Sequence, residues 1–342
     1  MKNFFSSLTA AVVGLLLGLG ARLHAALFGY MARQGLVLGA APMRSTDFRA
    51  IVEPILNEAF NGIYTQRKDE YKQIFWEGPG IQRSYHEEPV LYGFGQAPEL
   101  PDGMPVTYQQ GGILFTKRYV YKVFGLAFAI TRVLQEDGDA VRIGTTYSRH
   151  LAQSLIETKE TRTANVLNRA FTVGFNGGDG VTLCNASHPI VNGTFSNLLS
   201  TPAALSQTSL EQMIVQISTA VDNNGKKIRL TPGKLVVSPQ NRLQAEVLLK
   251  SVLRAGTANN DINPVKSMGM LDAEPAFMSR LTSATAWFIN TDAPEGLKVL
   301  TRRSLSKGSE GDFETDSMRY KATERYIEGW TDPRCIYGTP GV

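Results

Sequence analysis

Two side chains four positions apart, Cys184 and His188, could run nucleophilic chemistry: a thiolate attacks while an imidazole takes its proton. They stand in VTLCNASHPIVNGTFSNLL, residues 181–199, directly after the turn-forming run Asn176-Gly177-Gly178-Asp179-Gly180. A working pair also needs a third group that orients the base. Neither a G-x-S-x-G elbow nor a carboxylate at motif spacing accompanies them. The competing reading is a glycine-bounded turn in which His188-Pro189 is satisfied locally.

Other chemistries find still less. No G-x-G-x-x-G follows a strand, and Gly225-Lys226-Lys227 lacks the upstream glycine of a phosphate loop. His86-Glu87-Glu88 has neither the spacing nor the second histidine of a zinc helix. Four histidines and two cysteines, Cys184 and Cys335, assemble no metal cluster at motif spacing and no disulfide framework. Glu310, Asp312, Glu314 and Asp316 read as a solvated surface run. No cofactor, no metal and no enzymatic activity are expected. The alternative is a hydrolase using Cys184 and His188.

The elements that must position these residues come from a chain of 342 residues, long enough for a sizeable core and two domains or subdomains. Lys2, Arg22 and Arg33 stand in a first 42 residues that contain no acid, which leaves 32 basic residues against 31 acidic ones beyond them. That balance excludes a broad electrostatic footprint for nucleic acid. Residues 4–20, FFSSLTAAVVGLLLGLG, could serve as a targeting segment, a membrane anchor or an extension ahead of Met43. The extension is favoured, because Met43-Arg44-Ser45-Thr46-Asp47 opens abruptly onto an amphipathic run (Phe48, Ile51, Val52, Ile55, Leu56) with Thr46 or Asp47 as N-cap.

From residue 76 to 110 glycines and prolines exclude helix, and ILFTKRYVYKVFGLAFAITRVL then reads as strand. The two stretches suggest a long hairpin returning along residues 113–130, with Tyr119 and Tyr121 on one face. A two-stranded ribbon is marginal alone in water, so it should lie on another surface, in this chain or a neighbour. Residues 139–171 contain no proline and read as one helix roughly 50 Å long at about 1.5 Å per residue. Its apolar stripe breaks at residues 157–163, ETKETRT, which are polar on every side. Such a belt crosses solvent or meets a partner.

Further on, Thr208-Ser209-Leu210-Glu211 has capping-box spacing before a helix carrying Leu210, Met213, Ile214, Ile217 and Val221. Leu235-Val236-Val237 is a short buried strand, and Ser238-Pro239 starts a helix through Leu243, Val247, Leu249 and Leu253. Residues 257–263, TANNDIN, read as a solvated loop, and residues 284–290 and 297–305 as strands. Helix, strand and helix in so short a span imply a compact α/β layer.

Three segments carry a resemblance: GGDGVTLCNASHP (residues 177–189), GTFSN (193–197) and ERYIEGWTDPRCIYG (324–338). Together they resemble the tailed-phage major capsid proteins, and more narrowly the Mu-like prophage major head subunit family. The resemblance spans residues 43–342. It implies an α+β, Hong Kong 97-like capsid fold with a long spine helix, an extended β-hairpin loop and a compact α/β axial domain. The implied divisions are an apolar extension (1–42), an N-terminal arm (43–75), the extended β-loop (76–131), a peripheral domain with the spine helix (132–205), the axial domain (206–290) and a return to the peripheral domain (291–342).

The resemblance also implies a partner set: the chain itself in hexamers and pentamers, a scaffold protein, a portal and a maturation protease. The shell would enclose double-stranded DNA without sequence-specific binding and without a membrane, in a virion assembled in the bacterial host cytoplasm. Tyr119 and Tyr121 on the ribbon and Glu157, Lys159, Glu160 and Arg162 on the helix become candidate subunit contacts. Two departures stand. Residues 1–42 are apolar, unlike the charged scaffolding segment of some relatives, and no cross-linking site is carried over to Lys117 or Lys122.

Overall fold

The computed structural model describes residues 45–342 apart from 67, 138, 255–260, 313 and 316, and of residues 45–51 the backbone alone. The chain divides into two units, residues 1–51 and 52–342. The apolar opening and most of the 257–263 loop lie outside the described residues.

Helix α1 (Ser45–Gln66) leads through a single turn at Tyr71–Gln73 to β1 (Trp76–Pro79). Strands β2 (Tyr85–Tyr92), β3 (Gly112–Val120) and β4 (Lys122–Ile130) follow, then the short α2 (Arg132–Glu136) and α3 (Ala140–Asn168). A small hairpin, β5 (His188–Ile190) and β6 (Gly193–Phe195), precedes α4 (Gln207–Ser218), β7 (Pro232–Val237), α5 (Arg242–Lys250), α6 (Pro264–Met268), β8 (Ala276–Phe277) and β9 (Trp287–Thr291). Long strands β10 (Leu297–Asp312) and β11 (Ser317–Trp330) and a short β12 (Ile336–Thr339) complete an α+β fold.

The first sheet has the order β1-β10-β11-β4, and α3 runs along β11 and β4. At 29 residues α3 is roughly 44 Å long at about 1.5 Å per residue. Its buried positions Leu151, Ala152, Leu155, Ile156, Ala164 and Leu167 recur at helical spacing, and Lys159, Glu160 and Thr163 fill the interval between them. The stripe is therefore continuous, with polar residues in buried places. Gly144, a weak helix former, has a packing reason: a Cβ there would meet Ile130 Cδ1 at 2.9 Å and Leu56 Cδ2 at 3.1 Å. Ser148 seals the same junction by donating to the Leu56 carbonyl at 2.7 Å.

The second sheet, β12-β9-β7-β8, is buried on both faces, and alternation sorts its side chains between two cores. Val236, Phe288, Ala276 and Ile336 face the core shared with Leu167, Tyr326 and Trp330. Leu235, Val237, Trp287, Ile289 and Tyr337 face the core of α4 and α5. Burying each such aliphatic side chain contributes on the order of 2 kcal/mol.

Several expectations shift. The ribbon is β2 against β3 only, while residues 122–130 pair with β11 instead, Ile130 opposite Met318. The long helix ends at Asn168, three residues early, where the Ala170 and Thr172 amides turn to the carbonyls three residues back, Leu167 and Arg169. α1 already includes Thr46 and Asp47, expected as its cap. The capping box of α4 is Ser206 with Ser209, two residues ahead of Thr208. α5 buries Ala245, Leu248 and Leu249, leaving Leu243 and Val247 exposed. Asn263, at the end of the polar loop, is buried and caps α6 through the Val265 amide. β12 joins the second sheet, so the closing segment serves both layers.

Candidate functional site

The three segments that carried the resemblance meet at one buried side chain, Asn197. Its Nδ2 donates to the carbonyls of Leu183, Pro333 and Ile336 at 2.7, 2.9 and 3.0 Å. Its Oδ1 accepts from the Asn185 amide at 2.8 Å and faces His188 Nε2 at 3.0 Å. One residue thus clamps the 177–189 loop to the turn Pro333–Cys335 that leads into β12. Three carbonyls around Nδ2 and a backbone N–H at Oδ1 fix the orientation of the amide.

That orientation decides what His188 can do. Nε2 lies 3.0 Å from the Asn197 amide oxygen and Nδ1 2.6 Å from the Asp179 carboxylate, so each ring nitrogen is already engaged by a group of its own chain. Asp179 is the orienting carboxylate that motif spacing failed to reveal, but the histidine it orients is directed at Asn197. Cys184 is buried, and burial pushes its thiol well above the usual range, away from the reactive thiolate. A Cβ on Gly338 would lie 3.2 Å from its sulfur, so the thiol fills core space. These placements lend the hydrolase reading of Cys184 and His188 no geometric support. Among the described residues no group of three or more His, Cys, Asp or Glu could hold a metal ion.

The polar belt of α3 finds its partners within the chain. Lys159 donates to Glu77 at 2.6 Å, with its ammonium 5.3 Å from the Tyr71 ring centre and 5.4 Å from that of Tyr326. Burial opposes the charge on Glu77, but Lys159 and the Tyr71 hydroxyl override it and hold the carboxyl below the usual range. Glu160 accepts the Glu70 amide at 2.7 Å, and burial raises its carboxyl. Arg280 links exposed Glu157 (Nε to Oε1, 2.9 Å) to Glu70 (3.1 Å). Arg162 pairs with Glu328 and lies over Phe124. Glu324, on β11 beside this belt, has its carboxyl raised by burial while Lys159 pulls the other way.

Tyr119 and Tyr121 sit at the foot of the ribbon, both buried against Leu300. The Tyr119 hydroxyl bonds Thr331, which donates to Glu88; Lys298, only 3% exposed, donates to the same carboxylate at 2.7 Å. Burial opposes the charge of Glu88 too, yet Lys298 and Thr331 hold its carboxyl below the usual range. Farther out, Asn223 and Asn224 donate to the carbonyls of Leu91 and Gly93 at 2.9 and 2.7 Å, so the ribbon rests on its own chain that far. Beyond that point it presents Phe94, Leu100, Met104, Val106 and Tyr108 to solvent, Tyr108 at 95% exposure.

Sequence reading named the belt and the tyrosines but not Asn197, Asp179, Glu77 or Glu328. Asn197 was within reach, as it closes the GTFSN segment; a lone asparagine after a turn gives no sign of five polar contacts.

No curated protein matches the chain. A family model described as phage capsid protein matches residues 116–338, well over half of the chain. Similar solved structures include a virus-like particle from Pyrococcus furiosus, 12% identical over 84% of this chain and 98% of that one, with a TM-score of 0.44. A bacteriophage JBD30 capsid is 11% identical over 80% of this chain and 65% of that one, at 0.44. The capsid of a native GTA particle is 14% identical over 80% and 90%, at 0.48. On the match to the family model, the chain belongs to the phage capsid protein family.

Proposed function

We propose that this protein is the major head subunit of a tailed phage or prophage of the Mu-like kind, and that its work is assembly into an icosahedral shell of hexamers and pentamers around double-stranded DNA. The observation that carries the reading is the family match over residues 116–338. The order of elements, α1, the ribbon, the long α3, the α/β unit and the returning strands, supports this reading, with α1 as the arm. A balanced charge beyond residue 42 suits a lining that contains DNA without gripping it. The exposed apolar residues 94–108 of the ribbon suit a contact with a neighbouring subunit better than buried Tyr119 and Tyr121 do. On the belt, Glu157 and Arg162 keep exposed surface for such a contact, whereas Lys159 and Glu160 are covered by their own chain.

The reading includes a virion protein assembled in the host cytoplasm with a scaffold, a portal and a maturation protease, and no catalytic role. Among the described residues no helix is long and apolar enough to cross a membrane; residues 4–20, the candidate anchor, lie outside them. Expression of the full chain, with and without its scaffold, followed by negative-stain electron microscopy, tests the proposal. Closed shells are expected, and persistent monomers in both conditions would refute it. Cys184→Ala should leave shell formation intact; a measurable hydrolytic activity lost in that variant would restore the enzyme.

A further inference from the structure

An open cleft of about 290 Å³ lies between the foot of the ribbon and the C-terminal half of α3. Its walls carry Lys117, Lys122, Arg162 and Arg169, against one acid, Glu328. Lys117 donates to the Asn176 carbonyl at 3.1 Å, and Arg162 is paired with Glu328. Among the described residues no carboxylate pairs with the exposed Lys122 or Arg169. Burial lowers the pKa of Lys117, with Asp179 pulling the other way. The cleft is therefore a net-positive recess with two cations left over.

The opposite charge sits at the other end of the same sheet. Where β10 turns into β11, Glu310 and Glu314 are exposed and Asp312 is ionised beside Arg319. The Thr315 hydroxyl, helped by Arg319, holds the Asp312 carboxyl below the usual range. Glu328 and Trp330 at the cleft and Ser317 at the tip bound β11, so the two charge clusters are separated by roughly 40 Å at about 3.3 Å per residue. A strand paired on both sides cannot fold that tip back into its own cleft.

We propose that the basic cleft receives the acidic β10–β11 tip of a second copy of this chain. Cleft and tip are different patches, so the contact is heterologous, the type that runs head to tail and closes rings or extends into lattices. This inference rests on the assembly reading and names the partner of one of its contacts. It predicts that charge reversal on either side blocks assembly and that reversal on both sides restores it.

The test uses full-length chains carrying Lys122→Glu with Arg169→Glu, Glu310→Lys with Glu314→Lys, and all four together. Each is checked for unchanged melting as unassembled subunit, with Lys122→Ala and Arg169→Ala as milder cleft variants. Pelletable shells should fall by about tenfold in each pair, consistent with opposed charges at a repeated contact, and return in the quadruple variant. Folded cleft variants that assemble like the wild type would overturn the proposal, as would a quadruple variant that is not restored. Shells that form normally but lose DNA would assign the cleft to phosphate and overturn it equally. A wild-type chain that forms no shells would overturn the assembly reading, and this pairing with it.

Discussion

Replacing Asn197 tests whether the meeting point of the three shared segments is held by its hydrogen bonds or only by its shape. Asn197→Ala removes five polar contacts, two N–H groups shared among three carbonyls and two neighbours at Oδ1, in a fully buried place. At about 1 kcal/mol net for each the loss is on the order of 5 kcal/mol. The Pro333 carbonyl keeps a second donor in the Ile336 amide, which brings the expectation to about 4 kcal/mol. For a chain of 342 residues that lowers the melting temperature by roughly 6 °C, read by circular dichroism on unassembled subunit. Asn197→Asp separates the two explanations. It preserves the shape and the acceptor but turns a second oxygen toward three carbonyls, so it should cost at least as much as alanine. An aspartate variant melting within a couple of degrees of wild type would refute the donor argument.

Three further outcomes follow from the same physics. Glu324, raised by burial, is better bound in its protonated form: its contribution is complete below the usual carboxylate range and is lost as pH rises through the shifted value. Glu324→Gln should therefore raise the melting temperature at pH about 8 and not at about 4; an equal gain at both would remove titration as the cause. Gly338→Ala should cost about 3 kcal/mol in denaturant unfolding, since its Cβ would lie 2.4 Å from Phe288 Cδ1 inside a filled core. Lys159→Met should cost about 2 kcal/mol, below the usual figure for a broken buried pair because Glu77 is partly exposed. Glu77→Gln should recover most of that loss, and strict additivity in the double-mutant cycle would dissolve the pair.

What the sequence made legible follows from locality. The absence of proline over residues 139–171 and the apolar spacing at either end suffice for a long helix, and three consecutive apolar residues at 235–237 suffice for a buried strand. The polar belt misled because charged residues read as surface unless their partners are known, and Glu77 and Glu328 stand 82 and 166 residues away from Lys159 and Arg162. Strand β4 carries the same β-rich signal as β3, and only pairing with β11 assigns it to a different sheet. The face of α5 went wrong for a related reason: Leu243 and Val247 keep helical spacing, but the sheet lies against Ala245, Leu248 and Leu249. Cys184 and His188 were visible as residue types. Only tertiary structure shows the histidine's nitrogens committed to Asp179 and Asn197.

The double duty of residues 317–339 bears on when a newly made chain can become assembly-competent. β11 occupies an inner position in the first sheet, between β10 and β4, and β12 supplies an edge of the second. Met318 closes against Ile130 and Ile336 against Asn290, so a ribosome that has reached residue 316 has built neither sheet in full. Until then β4 has no partner, α3 has no floor beneath Lys159, and the clamp on Asn197 lacks two of its three carbonyls. Synthesis order thus acts as a timer. A half-finished chain can present the β2–β3 ribbon, complete by residue 120, but none of the surfaces that need β11 and β12.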